Sequence, residues 1–347
     1  MNDLLKSGHR SNKSLQMHTP YSSTPRTRCF PKTPLSRRLT ASARAARHES
    51  DGEVHDYEGL VMKTWKVYSL SPLYKFQSTK TSLTKYARSL DFALSQDKLR
   101  DMYSENSGHE KSAFSIYEGL NFKDQDAKAI QIQVSVKNES GNGANTVFNA
   151  LMICVDLDTS PVPEYLAKHF TYYPVILVSG NKSRTDIILT WLEQHFDCRS
   201  ASVQFSNRDL RWFLATGSSQ SVSRKSCPVV LQYSLSDVCD GISTVDCKFD
   251  AEFCKELWDR LNGGSSSRQM INESEVTQYV TALEEHLECT MHILFSKLSL
   301  SEVGTSMAYV SSQGKLKLFS NLGVFPALHM VCEIVKDGFQ DIVYPLS

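Results

Sequence analysis

Two stretches of this chain carry side chains in an order that suits phosphate or metal chemistry. Val175–Thr190 runs from an aliphatic segment through Ser179-Gly180-Asn181-Lys182-Ser183 into a helical pattern. That is the order of a strand, a phosphate loop and a helix. A loop whose amides wrap phosphates needs glycines one and six residues before its lysine. Asn181 and Ile176 stand there instead, so Lys182-Ser183 reads as a strand-to-helix turn with its cap. His286, Cys289 and His292 are spaced by three, as metal ligands often are. On a helix each such step turns about 300°, which leaves the outer two side chains roughly 120° apart. Packing or exposure is therefore preferred to a zinc site. The chain has no GxSxG, HExxH or dinucleotide fingerprint, and the acid pairs Glu284-Glu285 and Asp156/Asp158 suit solvated faces. The remaining chemistry is recognition. Lys315 and Lys317 alternate with Leu316 and Leu318, giving one strand a basic side and an aliphatic side.

Charge is divided unevenly. The chain holds 38 Lys and Arg against 38 Asp and Glu. Residues 1–50 carry Lys6, Arg10, Lys13, Arg26, Arg28, Lys32, Arg37, Arg38, Arg44 and Arg47 against Asp3 and Glu49, about +8, so about −8 remains for the rest. A body of that sign must contact DNA through a local basic stripe. Residues 1–55 are rich in Ser, Thr, Pro and Arg and show no periodicity, which predicts a disordered tail. Thr19, Thr24 and Thr33 each precede proline, and Thr24 and Thr33 are the candidate phosphorylation sites. A phosphate on Thr33, beside Lys32, Arg37 and Arg38, cancels about two positive charges. The simpler reading of the tail is a solvated nuclear-import signal. No run of 18 apolar residues suggests a membrane span, and the N-terminus lacks the apolar region of a secretory signal. Nine scattered cysteines without a CxxC pair predict reduced thiols in an intracellular protein.

The elements that must position these groups read as mixed α and β. Thr64–Phe76 predicts a half-buried strand that turns at Pro72, with Trp65 and Val67 on one side and Lys66 and Tyr68 on the other. An amphipathic helix is predicted over Leu83–Met102, a polar loop over 104–112, and a hairpin from Ala129–Lys137 and Val147–Leu157 about Gly141-Asn142-Gly143. Further expectations are a short helix at Pro161–Phe170, a buried strand at Pro174–Ser179 and helices at Asp186–Phe196 and Arg208–Ala215. Strands follow at Val229–Leu235 and Thr244–Phe249, then a helix capped by Asp250, the Gly263–Arg268 loop and a helix opened by the Asn272/Glu275 capping box. Strands at Met291–Leu298, Thr305–Val310 and Lys315–Phe319 precede a terminal helix over Phe325–Val335. Trp65, Trp191, Trp212 and Trp258 all lie in apolar patterns and are expected in the core. Antiparallel pairs with helices between them predict an α+β fold of mainly antiparallel sheets. The expected organisation is the tail at 1–55, an N-terminal lobe over 56–240 and a C-terminal lobe over 241–347.

The block Trp65-x-x-Tyr68-Ser69-Leu70-Ser71-Pro72-Leu73-Tyr74-Lys75-Phe76, with the Leu83–Leu90 helix, resembles the centromere protein L family. Ile187-Ile188-x-x-Trp191-x-x-x-x-Phe196-Asp197-Cys198, Asp250–Trp258 and Gly314-Lys315-x-Lys317 are similar too, as is Thr33-Pro34-Leu35 with Arg37 and Arg38 in the tail. The resemblance spans roughly Met62 to the C-terminus. It implies a saddle-shaped, non-enzymatic kinetochore subunit that pairs through its C-terminal sheet with centromere protein N. It also implies contacts with centromere protein C, the H-I-K-M subcomplex, and the centromeric nucleosome and its DNA. Carried onto this chain, Tyr309, Leu316, Leu318 and Phe319 become the candidate partner-facing residues. Lys75, Lys85, Arg88, Lys315 and Lys317 become the candidate DNA contacts. No cofactor is implied. The scaffold reading expects the last hairpin to leave its aliphatic side for a second polypeptide to cover, against the plainer reading of an ordinary core hairpin. Two other classes stand beside it: a nuclear protein that binds DNA by itself through the basic tail, and a nucleotide hydrolase using Lys182.

Overall fold

Thr64–Leu70, strand β1, is hydrogen-bonded to three other strands, and the sheet is organised around it. In this computed structural model residues 57, 59–100, 110–120, 127–137, 144–155, 162, 164–219, 227–235, 241–263 and 271–343 are described. The tail with Thr24 and Thr33, the Gly141–Gly143 turn and the Asp156/Asp158 pair lie outside them. After β1 come β2 (Leu73–Tyr74), α1 (Lys80–Arg100), β3 (Glu110–Ile116), β4 (Ile130–Lys137), β5 (Ala144–Ile153), β6 (Phe170–Thr171) and β7 (Val175–Gly180). Then follow α2 (Lys182–Phe196), β8 (Ser200–Ser202), α3 (Asn207–Ser218), β9 (Val229–Ser234), β10 (Thr244–Phe249) and α4 (Ala251–Leu261). The last elements are α5 (Glu273–Met291), β11 (Ser299–Gly304), β12 (Ala308–Ser311), β13 (Lys315–Leu318) and α6 (Asn321–Val343).

Eleven strands make one sheet in the order β10-β9-β11-β12-β13-β1-β7-β5-β4-β3, with β8 also pairing β1, and every ladder is antiparallel. The fold is α+β, as the pattern of paired strands predicted. β9 and β10 pair over six residues across the 240/241 position, and β11 joins β9, so the sheet is continuous there.

Helices cover opposite faces of the two halves. Leu83, Leu90 and Leu94 of α1, with Ile188, Trp191, Leu192 and Phe196 of α2, pack on Ile130, Ile132, Val134, Phe148, Met152, Ile176 and Val178. Helices α3 to α6 pack on the other face, against Trp65, Val67, Leu231, Val303, Val310, Leu316 and Leu318. The middle strands β5 and β7 lie under both layers, which is why β7 reads as an unbroken aliphatic run. In β1, Trp65 and Val67 face one layer while Tyr68 and Leu70 face the other, yet Lys66 is exposed. The second layer thus begins between residues 66 and 68, and the strand is half-buried only at its start.

Local chemistry sets most element ends. Asn181 accepts from the Arg184 N–H at 3.0 Å and caps α2, so that helix starts at Lys182, four residues before the expected Asp186. Ser206 and Asp209 form a capping box on α3, Asp250 accepts from the Glu252 N–H at 2.8 Å, and the Asn272 N–H donates to Glu275 at 2.9 Å.

Several expectations fail where long-range pairing overrides local pattern. Residues 110–116 are an edge strand whose first three residues fall in the expected 104–112 loop, because Ser112 and Phe114 find Val134 and Ile132 opposite. The expected Pro161–Phe170 helix does not form over 164–170: one 3-10 turn spans Glu164–Leu166, and Phe170 pairs with Tyr74 instead. The expected Met291–Leu298 strand is the end of α5 followed by a turn, since His292 takes a left-handed conformation and Phe295 packs 5.0 Å from the Tyr233 ring. Thr305 and Met307 belong to the β11–β12 connection rather than to a strand.

The main correction concerns the last hairpin. β12 pairs β11 and β13 pairs β1, so the β12–β13 ribbon has no free edge. Leu316 and Leu318, expected to face a partner, have 0% exposure beneath this chain's own helices. The plainer reading of that hairpin holds, and its aliphatic side is complete without a second polypeptide.

Two positions carry much of this junction. Trp65 is wholly buried and donates its indole N–H to the Leu60 carbonyl at 3.0 Å. Gly314 turns β12 into β13 at φ 75, and a Cβ there would stand 2.1 Å from the Val203 carbonyl oxygen. Trp65→Ala is expected to cost about 3–5 kcal/mol and Gly314→Ala more than about 1 kcal/mol. Urea unfolding followed by far-UV circular dichroism measures both, and a Trp65→Ala loss below about 1 kcal/mol would contradict this account of the junction.

Candidate functional site

Where β1 leaves the α1–α2 layer, no described helix covers its outer face as it continues across β13, β12, β11, β9 and β10. Strand alternation makes that face the negative of the core pattern. Trp65, Leu316, Val310, Val303, Leu231 and Cys247 point to the helices, so Lys66, Lys315, Lys317, Tyr309, Glu302, Gln232 and Asp246 point out. The face is basic at one end and mixed at the other.

Lys66 and Lys315 are directly opposite in the β1–β13 register, and Lys317 stands between Thr64 and Tyr309. Two like charges opposed across a ladder are unfavourable by roughly 0.2–1 kcal/mol. Lys66 places its ammonium 5.2 Å from the Tyr68 ring centroid, and Lys317 places its own 5.9 Å from the Phe319 ring. Glu302 accepts from the Tyr309 hydroxyl. Burial lifts the Glu302 carboxyl above its ordinary value, while the nearby Lys315 charge opposes that rise.

The five expected DNA contacts fall into two groups. Lys315 and Lys317 lie in the basic band. Lys85 and Arg88 are exposed on α1, which packs beside the far edge strand β3, and Lys75 sits at φ 55 next to Tyr74, 4.7 Å from its ring. Both groups are on the same side of the sheet. Five strand steps, about 24 Å, separate β13 from β3. Tyr309 and Phe319 remain on the open face, whereas Leu316 and Leu318 do not. Lys66 joins the band without having been singled out from the sequence. Its alternation with Trp65 and Val67 marked it as outward-facing, but only the register reveals Lys315 beside it.

The alternative chemistries find no constellation. Lys182 and Ser183 form the first turn of α2, with Asn181 as its cap. His286 packs 5.3 Å from the Phe253 ring, and His292 is the left-handed residue that ends α5. Among the described residues no group of three or more His, Cys, Asp or Glu could hold a metal ion, and no helix is long and apolar enough to cross a membrane. Between α3 and α5, Arg211 pairs with the buried Glu284 carboxylate at 2.9 Å. Desolvation raises the Glu284 carboxyl and Arg211 partly offsets it.

The sheet has two edges, and they differ. At β3 the phase of the ladder, with the Tyr117 N–H on the Ala129 carbonyl, turns the Ser112 N–H outward, where the Asp91 carboxylate of α1 accepts it at 2.6 Å. At β10 the Leu235 N–H bonds to the Ser243 carbonyl at 2.9 Å, which turns the backbone groups of Thr244, Asp246 and Lys248 away from the sheet. All three residues are exposed, and no described strand or helix pairs with that edge.

The fold and this surface define an α+β protein whose distinguishing groups gather on an open sheet face and a free strand edge rather than in a cleft. Comparison with known proteins gives that class a particular identity. The family model described as Centromere protein L matches residues 59–338, so the chain belongs to the centromere protein L family and is a centromere protein. Centromere protein L of Xenopus tropicalis is 26% identical over 333 residues, covering 94% of this chain and 90% of that protein. The Gallus gallus protein is 26% identical over 286 residues (81% of each chain), and the Homo sapiens protein 26% over 282 (79% of each).

The thiols give a check on the layering that is independent of any partner. Burial pushes Cys198 up to about 11 and Cys247 and Cys254 up to about 12, whereas Cys289 is exposed on α5. Iodoacetamide treatment of the folded protein at neutral pH should label Cys289 and spare the other three until denaturant is added. Peptide mass mapping reads the result.

Proposed function

We propose that this chain is a non-enzymatic structural subunit of the inner kinetochore that pairs with centromere protein N and helps to anchor the centromere-associated network on centromeric DNA. Family membership supports the setting: nucleus, chromosome, kinetochore. The observation that carries the DNA part is the Lys66–Lys315 opposition with Lys317 alongside. A cost of this kind is relieved when phosphates lie over the face. Lys85 and Arg88, about 24 Å away on the same side, extend the track by about seven nucleotides at 3.4 Å each, and Lys75 is a further candidate.

Partner pairing moves from the last hairpin to β10. Strand addition needs outward N–H and C=O groups in a row, and β10 offers them while α1 blocks β3. Tyr309 and Phe319, three and four strands in from β10, then fall outside that pairing and stay on the open face. Centromere protein C and the H-I-K-M subcomplex are further contacts in this reading, and the Thr24 and Thr33 sites modulate the charge of the tail.

A proline on an edge strand with its N–H pointing outward removes an intermolecular donor at little cost to the ladder. Asp246→Pro should therefore abolish one-to-one co-purification with centromere protein N while the melting temperature of the chain stays nearly unchanged. Unaltered co-purification would remove β10 from the interface. For DNA, replacing Lys66, Lys315 and Lys317 by Ala in the co-purified pair should weaken duplex binding about equally for all sequences and lower the slope of log K against log salt by about 3. Deleting residues 1–55 should leave assembly intact. Loss of all DNA binding on that deletion would favour the tail-only reading instead.

A further inference from the structure

Tyr309 and Phe319 put two half-buried aromatic rings on the same open face as the basic band. We propose that this face holds single-stranded RNA, with adjacent bases stacked on the two rings and phosphates on Lys66, Lys315 and Lys317. Tyr309 lies along the sheet rather than standing off it. Its register partner on β11 is Gly304, and a Cβ on that glycine would stand 3.6 Å from Cδ2 of the tyrosine ring. The hydroxyl reaches two residues further along β11, where Glu302 accepts it. A ring laid over Gly304 and tied at its tip turns its other face outward, as a stacking surface requires. Phe319 donates its N–H to the Met307 carbonyl and so stands diagonally from Tyr309, about 7–8 Å away. That arrangement suits two adjacent unpaired bases, as on the aromatic sheet faces that read RNA. Lys317 is directly opposite Tyr309, with its ammonium 5.9 Å from the Phe319 ring.

Charge across the strands gives the bound chain its sense. Glu302, Ser311, Lys315 and Lys66 form one row over β11, β12, β13 and β1, each opposite the next. The row is acidic at one end, neutral in the middle and doubly basic at the other. An unpaired strand has a matching asymmetry, with phosphates along one side and uncharged bases along the other. Phosphates over β13 and β1 meet the three lysines, and bases over β12 meet Tyr309 while keeping negative charge off Glu302. A duplex holds its bases stacked inside and carries phosphates on both flanks, so it makes no use of the rings. Loops and single-stranded stretches of RNA are where unpaired bases are offered for stacking on aromatic side chains.

This inference rests on the basic band of the duplex reading and adds the two rings to it. Fluorescence anisotropy on the purified full chain reads it, with labelled oligouridylate, an abasic copy carrying the same phosphates, and a DNA duplex as probes. Oligouridylate is expected to bind about tenfold or more tightly than the abasic copy. Tyr309→Leu, which keeps apolar cover on Gly304, should weaken oligouridylate binding about fivefold or more and leave duplex binding unchanged. Tyr309→Phe keeps the ring and should retain the affinity, and unchanged far-UV spectra certify the fold of each variant. Equal affinity for oligouridylate and its abasic copy overturns the proposal without recourse to any variant, as does a Tyr309→Leu chain that binds RNA like the unaltered one. Tighter binding of oligodeoxyuridylate, which lacks only the 2′-hydroxyls, overturns RNA as the occupant. The two readings of the band fail separately. Duplex binding without preference for bases over the abasic strand overturns stacking alone, and base-dependent RNA binding without affinity for duplex overturns the duplex reading alone.

Discussion

The burial of β1 on both faces is the constraint from which the rest of this molecule follows. Trp65 and Val67 close the core under α3 to α6, and Tyr68 and Leu70 close the core under α1 and α2. No other arrangement lets one strand belong to two hydrophobic layers, because successive side chains alternate across a pleated sheet. Since the two helical layers lie on opposite faces and overlap only over the middle strands, each half of the sheet has one face that no described helix covers. The exposed basic band is a product of this offset. A second layer extended by three strands would have buried Lys66, Lys315 and Lys317 at a cost no fold of this size could absorb.

That offset also explains why recognition here is a matter of surface and edge. A closed cleft needs elements that converge on a cavity; a sheet covered from alternate sides offers long flat faces instead. Charges on such faces interact weakly in water, so opposing Lys66 to Lys315 brings the isolated chain no stability and only a small cost. It gains meaning when a polyanion lies across the strands. The two edges show the same division of labour. Asp91 reaches over β3 and takes an outward amide, a common way to keep a sheet from growing. Nothing comparable stands at β10 among the described residues.

Strand and helix patterns were legible wherever one side of an element is apolar and the other polar. The β4 alternation, the α5 capping box with Val276, Tyr279, Leu283 and Leu287, and the Asp250 cap all appear as read. Errors cluster where the pattern is weak and the outcome is set by a remote partner. Glu110–Ile116 has only Phe114 and Ile116 as large apolar residues, and becomes a strand because β4 offers seven residues of register. Met291–Leu298 has the composition of a strand, yet it holds the end of α5 and a turn in which Phe295 and Leu298 are buried while Ile293 and Leu294 are exposed.

The resemblance and the candidate residues divide in the same way. Lys315 and Lys317 were recognisable as outward-facing from their alternation with leucines, and they are. What covers Leu316 and Leu318 was not decidable from that alternation, because an apolar side looks alike whether α6 or another protein lies on it. By itself the sequence determined the α+β class, the family, the burial of Trp65, Trp191 and Trp258 (Trp212 is only partly buried) and the outward lysines of the last strand. Tertiary structure alone decided that the last hairpin sits mid-sheet, that Lys66 stands opposite Lys315 across some 250 residues of chain, and that β10 is the edge left free. Periodicity is a local property of the backbone. Adjacency in a sheet is fixed only when every strand has chosen its neighbours.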